Sequence, residues 1–295
     1  MNREKAAEFV KKNARDIERA IYEYFFEDGD RKNVVAALKN YQNPDGGFGH
    51  ALEADNWNPA SNPIATNDAI ITLYRTDSLD DEQMVNDIVR YLSSHNSFDE
   101  EKKKWLFALD SNKNHPHAIW WEKDGDGIKD FNPTVSLAAF MVCFGKERDY
   151  YAEIVKDAFE SLKTAKELMG DDLKCYLLSY ELFKVHDITD VIDLEAAFAL
   201  LGEKLSTVIC RDTSKYGVEY VPVPSDFFAA SYSDFLTDEM CALLDAERAI
   251  LGKIQLEDGS FDISWKWYTD YPEQFEQTRI WWKSRITIDK MLAFK

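Results

Sequence analysis

The sequence predicts an all-α protein built from repeated helical hairpins. Three observations lead there. Apolar residues return at the helical interval through most of the 295 positions, Gly, Pro, Asn and Asp cut those runs into helix-sized pieces, and one seven-residue turn signature occurs twice. The 45% hydrophobic and 14% aromatic content, with eight Trp and eighteen Phe, is enough apolar surface for a sizeable core. No linker-like Pro/Gly/Ser tract or charge block divides the chain, so residues 1–295 are expected to form one domain.

Residues 1–4 open an acidic amphipathic helix. Ile17, Ala20, Ile21, Tyr24 and Phe25 form the next apolar stripe, followed by Val34, Ala37, Leu38 and Tyr41. The spacing returns in Val85, Ile88, Val89 and Leu92, in Leu137, Phe140, Met141 and Phe144, in Leu173, Tyr176, Leu177 and Tyr180, and in Leu194, Ala197, Phe198 and Leu201. Further helical runs cover 70–74, 154–162, 240–251 and 280–292, with Gly29, Gly145, Gly170 and Gly202 as expected stops. The count comes to roughly ten to twelve helices. Strand-like alternation appears in Tyr216, Val218 and Tyr220, where Pro222 and Pro224 limit it to a short hairpin or edge. Three connections, 43–65, 96–132 and 210–235, exceed what hairpin packing needs, and long ordered loops tend to carry function.

A formal charge of −19 repels phosphate backbones and anionic lipid, so neither nucleic acid nor membrane insertion is expected. The N-terminal residues lack a signal-peptide pattern and no apolar run reaches spanning length, which points to the cytoplasm. Cys143, Cys175, Cys210 and Cys241 are scattered without CxxC pairing, as expected of reduced structural residues. No metal site and no cofactor are expected.

The repeated signature is Gln42-Asn43-Pro44-Asp45-Gly46-Gly47-Phe48 and Gln255-Leu256-Glu257-Asp258-Gly259-Ser260-Phe261, both reading Q-x-x-D-G-x-F. Asp-Gly makes a tight turn, Gln and Asp side chains can satisfy orphan amides at a neighbouring helix start, and the aromatic ring packs over the turn, stapling neighbouring hairpins. This turn resembles the Q-x-x-D-G-x-W repeat of squalene–hopene-type terpenoid cyclases and the DGGF turns of protein prenyltransferase β chains. The resemblance implies an α/α toroid: inner helices apolar on both faces, amphipathic outer helices, and a small-molecule ligand in the central cavity. A single-toroid, prenyltransferase-like protein is the form it implies for a chain of this length. The cyclase acid run DxDD is absent, and Asp172 and Cys175 have no histidine beyond His186 to complete a prenyltransferase zinc site.

Candidate site residues lie in the long connections. After the first staple come His50, Glu53, Asp55 and Trp57, where a desolvated carboxylate can serve as general acid and Phe48 and Trp57 can face a planar or cationic ligand. His115, His117, Trp120, Trp121 and Glu122 follow, with one indole expected to face a cavity and the other the core. Trp265, Trp267, Trp281, Trp282, Lys283 and Arg285, with Arg279, put cations beside an aromatic wall, either to hold an anionic group or to balance neighbouring acids. Three functions fit: binding or conversion of an isoprenoid-like apolar ligand, carbohydrate chemistry, which needs paired carboxylates flanked by Trp, and a non-catalytic scaffold. The oligomeric state has no signature in the sequence.

Overall fold

Helix-length apolar runs punctuated by capping residues fold as they read. In the computed structural model the described residues, 1–268 and 271–295, contain eleven α-helices: α1 (Arg3–Asn13), α2 (Asp16–Phe26), α3 (Arg31–Leu38), α4 (Pro63–Arg75), α5 (Glu82–Ser93), α6 (Thr134–Phe144), α7 (Arg148–Thr164), α8 (Gly170–Val185), α9 (Leu194–Val208), α10 (Asp238–Ile254) and α11 (Pro272–Ala293). The protein is all-α. Side chains of Asn2, Asp30, Asp81 and Thr237 accept hydrogen bonds from amides in the first turns of α1, α3, α5 and α10, supplying partners that a helix start lacks. No helix among the described residues is long and apolar enough to cross a membrane.

The described sheet is a two-stranded antiparallel hairpin, β1 (Phe98–Asp99) with β2 (Lys104–Trp105). It lies in the 96–132 connection, and residues 216–223 form no strand. There the chain turns locally, Val218 and Glu219 amides both donating to the Lys215 carbonyl, Gly217 takes φ +73°, and Pro222 and Pro224 have no N–H for a ladder. Two expected helix stops are also corrected: Gly170 begins α8 and Gly202 lies inside α9. Neither is followed by the chemistry that ends a helix, and interior glycine is tolerated at modest cost.

Two compact units emerge, one comprising residues 41–74 and 79–208, the other 1–40, 75–78 and 209–295. In the first, helices alternate in character. α4, α6 and α8 are buried on nearly every side: residues 134–142 of α6 are all buried, as are 175–183 of α8. Between them α5 and α7 bury one stripe each, Met84, Val85, Ile88, Tyr91 and Leu92 in the former, Tyr151, Ile154, Val155, Ala158 and Leu162 in the latter. α6 packs against α7 and α8, and α8 against α9. In the second unit α1 packs on α11, which also meets α2, while α2 packs on α3. Its core includes Ala6, Phe9, Val10, Tyr22, Ile288 and Met291.

Candidate functional site

The two staples are built alike. Gln42 Nε2 donates to the Gly46 carbonyl at 3.1 Å, and Gln255 Nε2 to the Gly259 carbonyl at 2.8 Å. Asp45 Oδ1 accepts the Gly47 amide at 3.0 Å, and Asp258 Oδ1 the Ser260 amide at 3.0 Å. The Phe48 amide donates to Thr66 Oγ1 of α4 at 3.2 Å, the Phe261 amide to Thr287 Oγ1 of α11 at 3.1 Å. Gly46 and Gly259 take φ +99° and +92°, and a Cβ on either would strike backbone, the Asp87 carbonyl of α5 or the Lys5 carbonyl of α1. α1 therefore meets the second staple as α5 meets the first. Within each turn Gln thus serves a carbonyl and Asp an amide, and the amide of a neighbouring helix start is met in the second staple, where Gln255 Oε1 accepts the amide of Asn2 before α1, at 2.6 Å. Phe48 and Phe261 are buried.

The loops after the first staple and before α6 look like separate candidates in the sequence, but the fold fastens them together. Trp57 N–H donates to the Pro116 carbonyl at 2.9 Å and Ala118 N–H to the Asp55 carbonyl at 2.9 Å. The Trp121 indole donates to Asp55 Oδ1 at 2.7 Å, with Asp55 only 1% exposed. Asn58, fully buried, donates to Ser111 Oγ at 2.7 Å and Asn112 Oδ1 at 2.8 Å, and Asn112 donates to the Trp121 carbonyl at 2.9 Å. Trp121 stacks on Phe107 and is buried, Trp120 is half-buried, and the Trp57 indole donates to the Ala54 carbonyl. His50 is exposed beside Asn43 Oδ1 at 2.9 Å, and Glu53 is half-buried. His117 is buried, its Nδ1 2.6 Å from the His115 carbonyl and its Nε2 3.9 Å from Glu122. The Asp55 carboxylate is thus anchored by an indole, while His50 and Glu53 lie nearer solvent.

A polar layer that stripe reading passed over lies within the enclosed helices of this unit. Ser136 Oγ donates to Asn67 Oδ1 at 2.6 Å, Cys175 Sγ is 3.5 Å from Asn132 Oδ1, and Asn132 donates to Asp172 Oδ1 at 2.9 Å. Further along, Tyr74 donates to the buried Glu181 at 3.0 Å, and Lys184 lies 3.6 Å from that carboxylate. Asp68 is also buried. Polar residues inside runs that are otherwise apolar on every face are the signal that finds this layer. Burial pushes the Cys175 thiol up to about 12, so it stays protonated at neutral pH. Among the described residues no three His, Cys, Asp or Glu side chains gather as a metal site.

In the other unit the C-terminal aromatic and basic residues divide. Arg279 forms a two-armed pair with Asp262, and Lys283 reaches Asp258 of the staple at 2.9 Å and lies over Phe9. Burial favours protonation of Asp258 and Asp262, but their hydrogen bonds, from Ser260 and Lys283 to the first and from Arg279 to the second, prevail and hold both carboxyls below the ordinary value. Arg285 lies over the Trp282 ring at 5.3 Å, so it does not share the place of Lys283. Trp265 meets Trp282, Trp267 is buried against Phe275, and Trp281 carries Arg15 above its ring at 5.0 Å. No family model, curated protein or solved structure matches the chain.

Proposed function

We propose that this chain is a terpenoid-cyclase or prenyltransferase-like helical-hairpin protein of the cytoplasm that binds an apolar, isoprenoid-like ligand in the central cavity of an α/α toroid. The observation that carries the reading is the congruence of the two staples, which share four residue types and the same Phe-amide-to-threonine bond. The alternation of enclosed α4, α6 and α8 with striped α5 and α7 supports it, being the helix character that the resemblance implies. An apolar ligand also suits a chain whose charge of −19 discourages nucleic acid. A carbohydrate ligand is the second reading, favoured by the buried Asn67, Asp68 and Glu181 of the enclosed helices and by Asn132 just before α6.

A thermal-shift panel separates them, since a ligand that prefers the native state raises the midpoint. The proposal expects saturable shifts with isoprenyl alcohols or diphosphates and none with neutral or acidic oligosaccharides. Shifts with the oligosaccharides alone would replace it by the carbohydrate reading, and silence from both sets would leave a scaffold.

A further inference from the structure

Five Asp-Gly pairs occur in the chain: Asp28-Gly29, Asp45-Gly46, Asp124-Gly125, Asp126-Gly127 and Asp258-Gly259. Such a pair is chemically labile, because the glycine amide nitrogen can attack the side-chain carboxyl before it and glycine has no Cβ to hinder the approach. The attack needs an amide that is not already hydrogen-bonded and a peptide plane with room to turn.

The fold withholds both from four of the pairs. The Gly29 amide donates to the Glu23 carbonyl at 2.9 Å, Gly46 to Asn43 at 2.9 Å, Gly127 to Asp124 at 2.9 Å and Gly259 to Leu256 at 3.0 Å. Backbone also crowds each glycine: a Cβ would come within 2.8 Å of the Glu23 backbone at Gly29 and 2.6 Å of the Ala108 carbonyl at Gly127, and Gly46 and Gly259 lie against α5 and α1. Three of the carboxylates are engaged as well, Asp45 and Asp258 by the amides two residues on, Asp126 by the Ile128 amide at 2.9 Å and by Lys102.

Asp124-Gly125 is different on every count. Both residues are exposed, and among the described residues the Gly125 amide has no acceptor and the Asp124 carboxylate no donor. A Cβ built on Gly125 meets nothing within 4 Å, as at an exposed loop tip.

We propose that Asp124 is a modification site, the place where the folded chain converts aspartate to isoaspartate. The Gly125 nitrogen, having given up its proton, bonds to Cγ of the protonated Asp124 carboxyl, and water leaves to close a succinimide. Water then adds to the main-chain carbonyl of Asp124 and the bond from that carbon to the Gly125 nitrogen breaks, so the chain now runs through Cβ and Cγ and the α-carboxylate is free. One water is lost and one regained, with no change of mass or oxidation state. The lengthened linkage enters the turn that offers the Gly127 carbonyl to the Phe107 and Ala108 amides, and Phe107 stacks on Trp121. The modification therefore falls beside the loops that hold Asp55, whichever ligand the chain receives.

Ageing the full chain at neutral pH and body temperature, followed by peptide mapping with electron-transfer dissociation, which separates the two linkages at equal mass, tests the proposal. Isoaspartate is expected at position 124 at least about fivefold faster than at 28, 45, 126 or 258, the advantage of an amide with no hydrogen bond to break. Ageing in urea is expected to close the gap between the pairs, and Asp124→Glu, whose longer side chain would have to close a six-membered ring, to abolish the signal at 124 while circular dichroism is unchanged. Isoaspartate forming at 124 no faster than at the other four pairs, or a lead for 124 that is undiminished in urea, overturns the inference.

Discussion

Lys290 of α11, Glu247 of α10 and Ser225 in the segment before α10 meet in the interior, exposed by 9%, 1% and 1%. Lys290 Nζ donates to Ser225 Oγ at 2.6 Å and pairs with Glu247 Oε1; Ser225 gives Glu247 both its hydroxyl, at 2.6 Å, and its amide, at 3.0 Å. Replacing Lys290 by Met leaves an uncompensated carboxylate in low dielectric, a loss of about 3–5 kcal/mol. Glu247→Leu strands the ammonium instead and is expected to cost a similar amount. With both replaced, no buried charge remains; what persists is mainly the Ser225 amide without its acceptor, worth about 1–3 kcal/mol. The double variant is therefore expected to be more stable than either single one, with coupling of several kcal/mol read from urea unfolding by circular dichroism and tryptophan fluorescence together. A double variant whose loss equals the sum of the singles would refute the reasoning, as would a Lys290→Met loss below about 1 kcal/mol.

Other expectations follow from the same geometry. Thr66→Val and Thr287→Val each strip the acceptor from a buried phenylalanine amide and should destabilise by similar amounts, about 1–3 kcal/mol, whereas Thr→Ser at either place should cost less; unequal losses in urea unfolding would show that the staples are not equivalent. Asp258 and Asp262 have native pKa values below the ordinary 3.8, so the unfolded chain binds their protons first as acid is added. Their stabilisation is full above the unfolded value and is lost as pH falls through the native one; Asp262→Asn should flatten that acid limb in unfolding free energies measured between about pH 2.5 and 6. Among the cysteines, Cys241 is exposed while the Cys175 thiol is buried with its pKa near 12. Ellman's reagent at pH 8 should label Cys241 quickly and Cys175 only on unfolding; prompt labelling of Cys175 in the native chain would contradict its burial.

What could be read in advance depended on how local the cause was. Asp45-Gly46 and Asp258-Gly259 announce their turns because a positive φ beside a close backbone approach leaves room only for glycine, and the two glycines sit against a carbonyl of α5 and of α1. The helices were legible from their stripes, yet α6 was under-read. Leu137, Phe140, Met141 and Phe144 look like one face, whereas Val135, Ala138, Ala139 and Val142 are buried too; a helix enclosed on all sides offers no polar contrast to reveal it.

The candidate site was legible in its residue types and less so in its assembly. Asp55 and Trp121 are 66 positions apart, and nothing in either loop encodes their hydrogen bond. Lys283 and Arg285 look like one basic cluster on paper, but residues two apart are turned about 200° around a helix, which sends one to the staple and leaves the other over Trp282. The 96–132 connection concealed a hairpin because two residues per strand are too few to show alternation.

The central claim, that the chain receives an apolar rather than a sugar-like molecule, is tested most directly by native mass spectrometry of the intact chain incubated with equal concentrations of farnesol and maltotriose. The account predicts a one-to-one complex with farnesol that survives excess maltotriose. A complex with maltotriose that farnesol does not displace would contradict it.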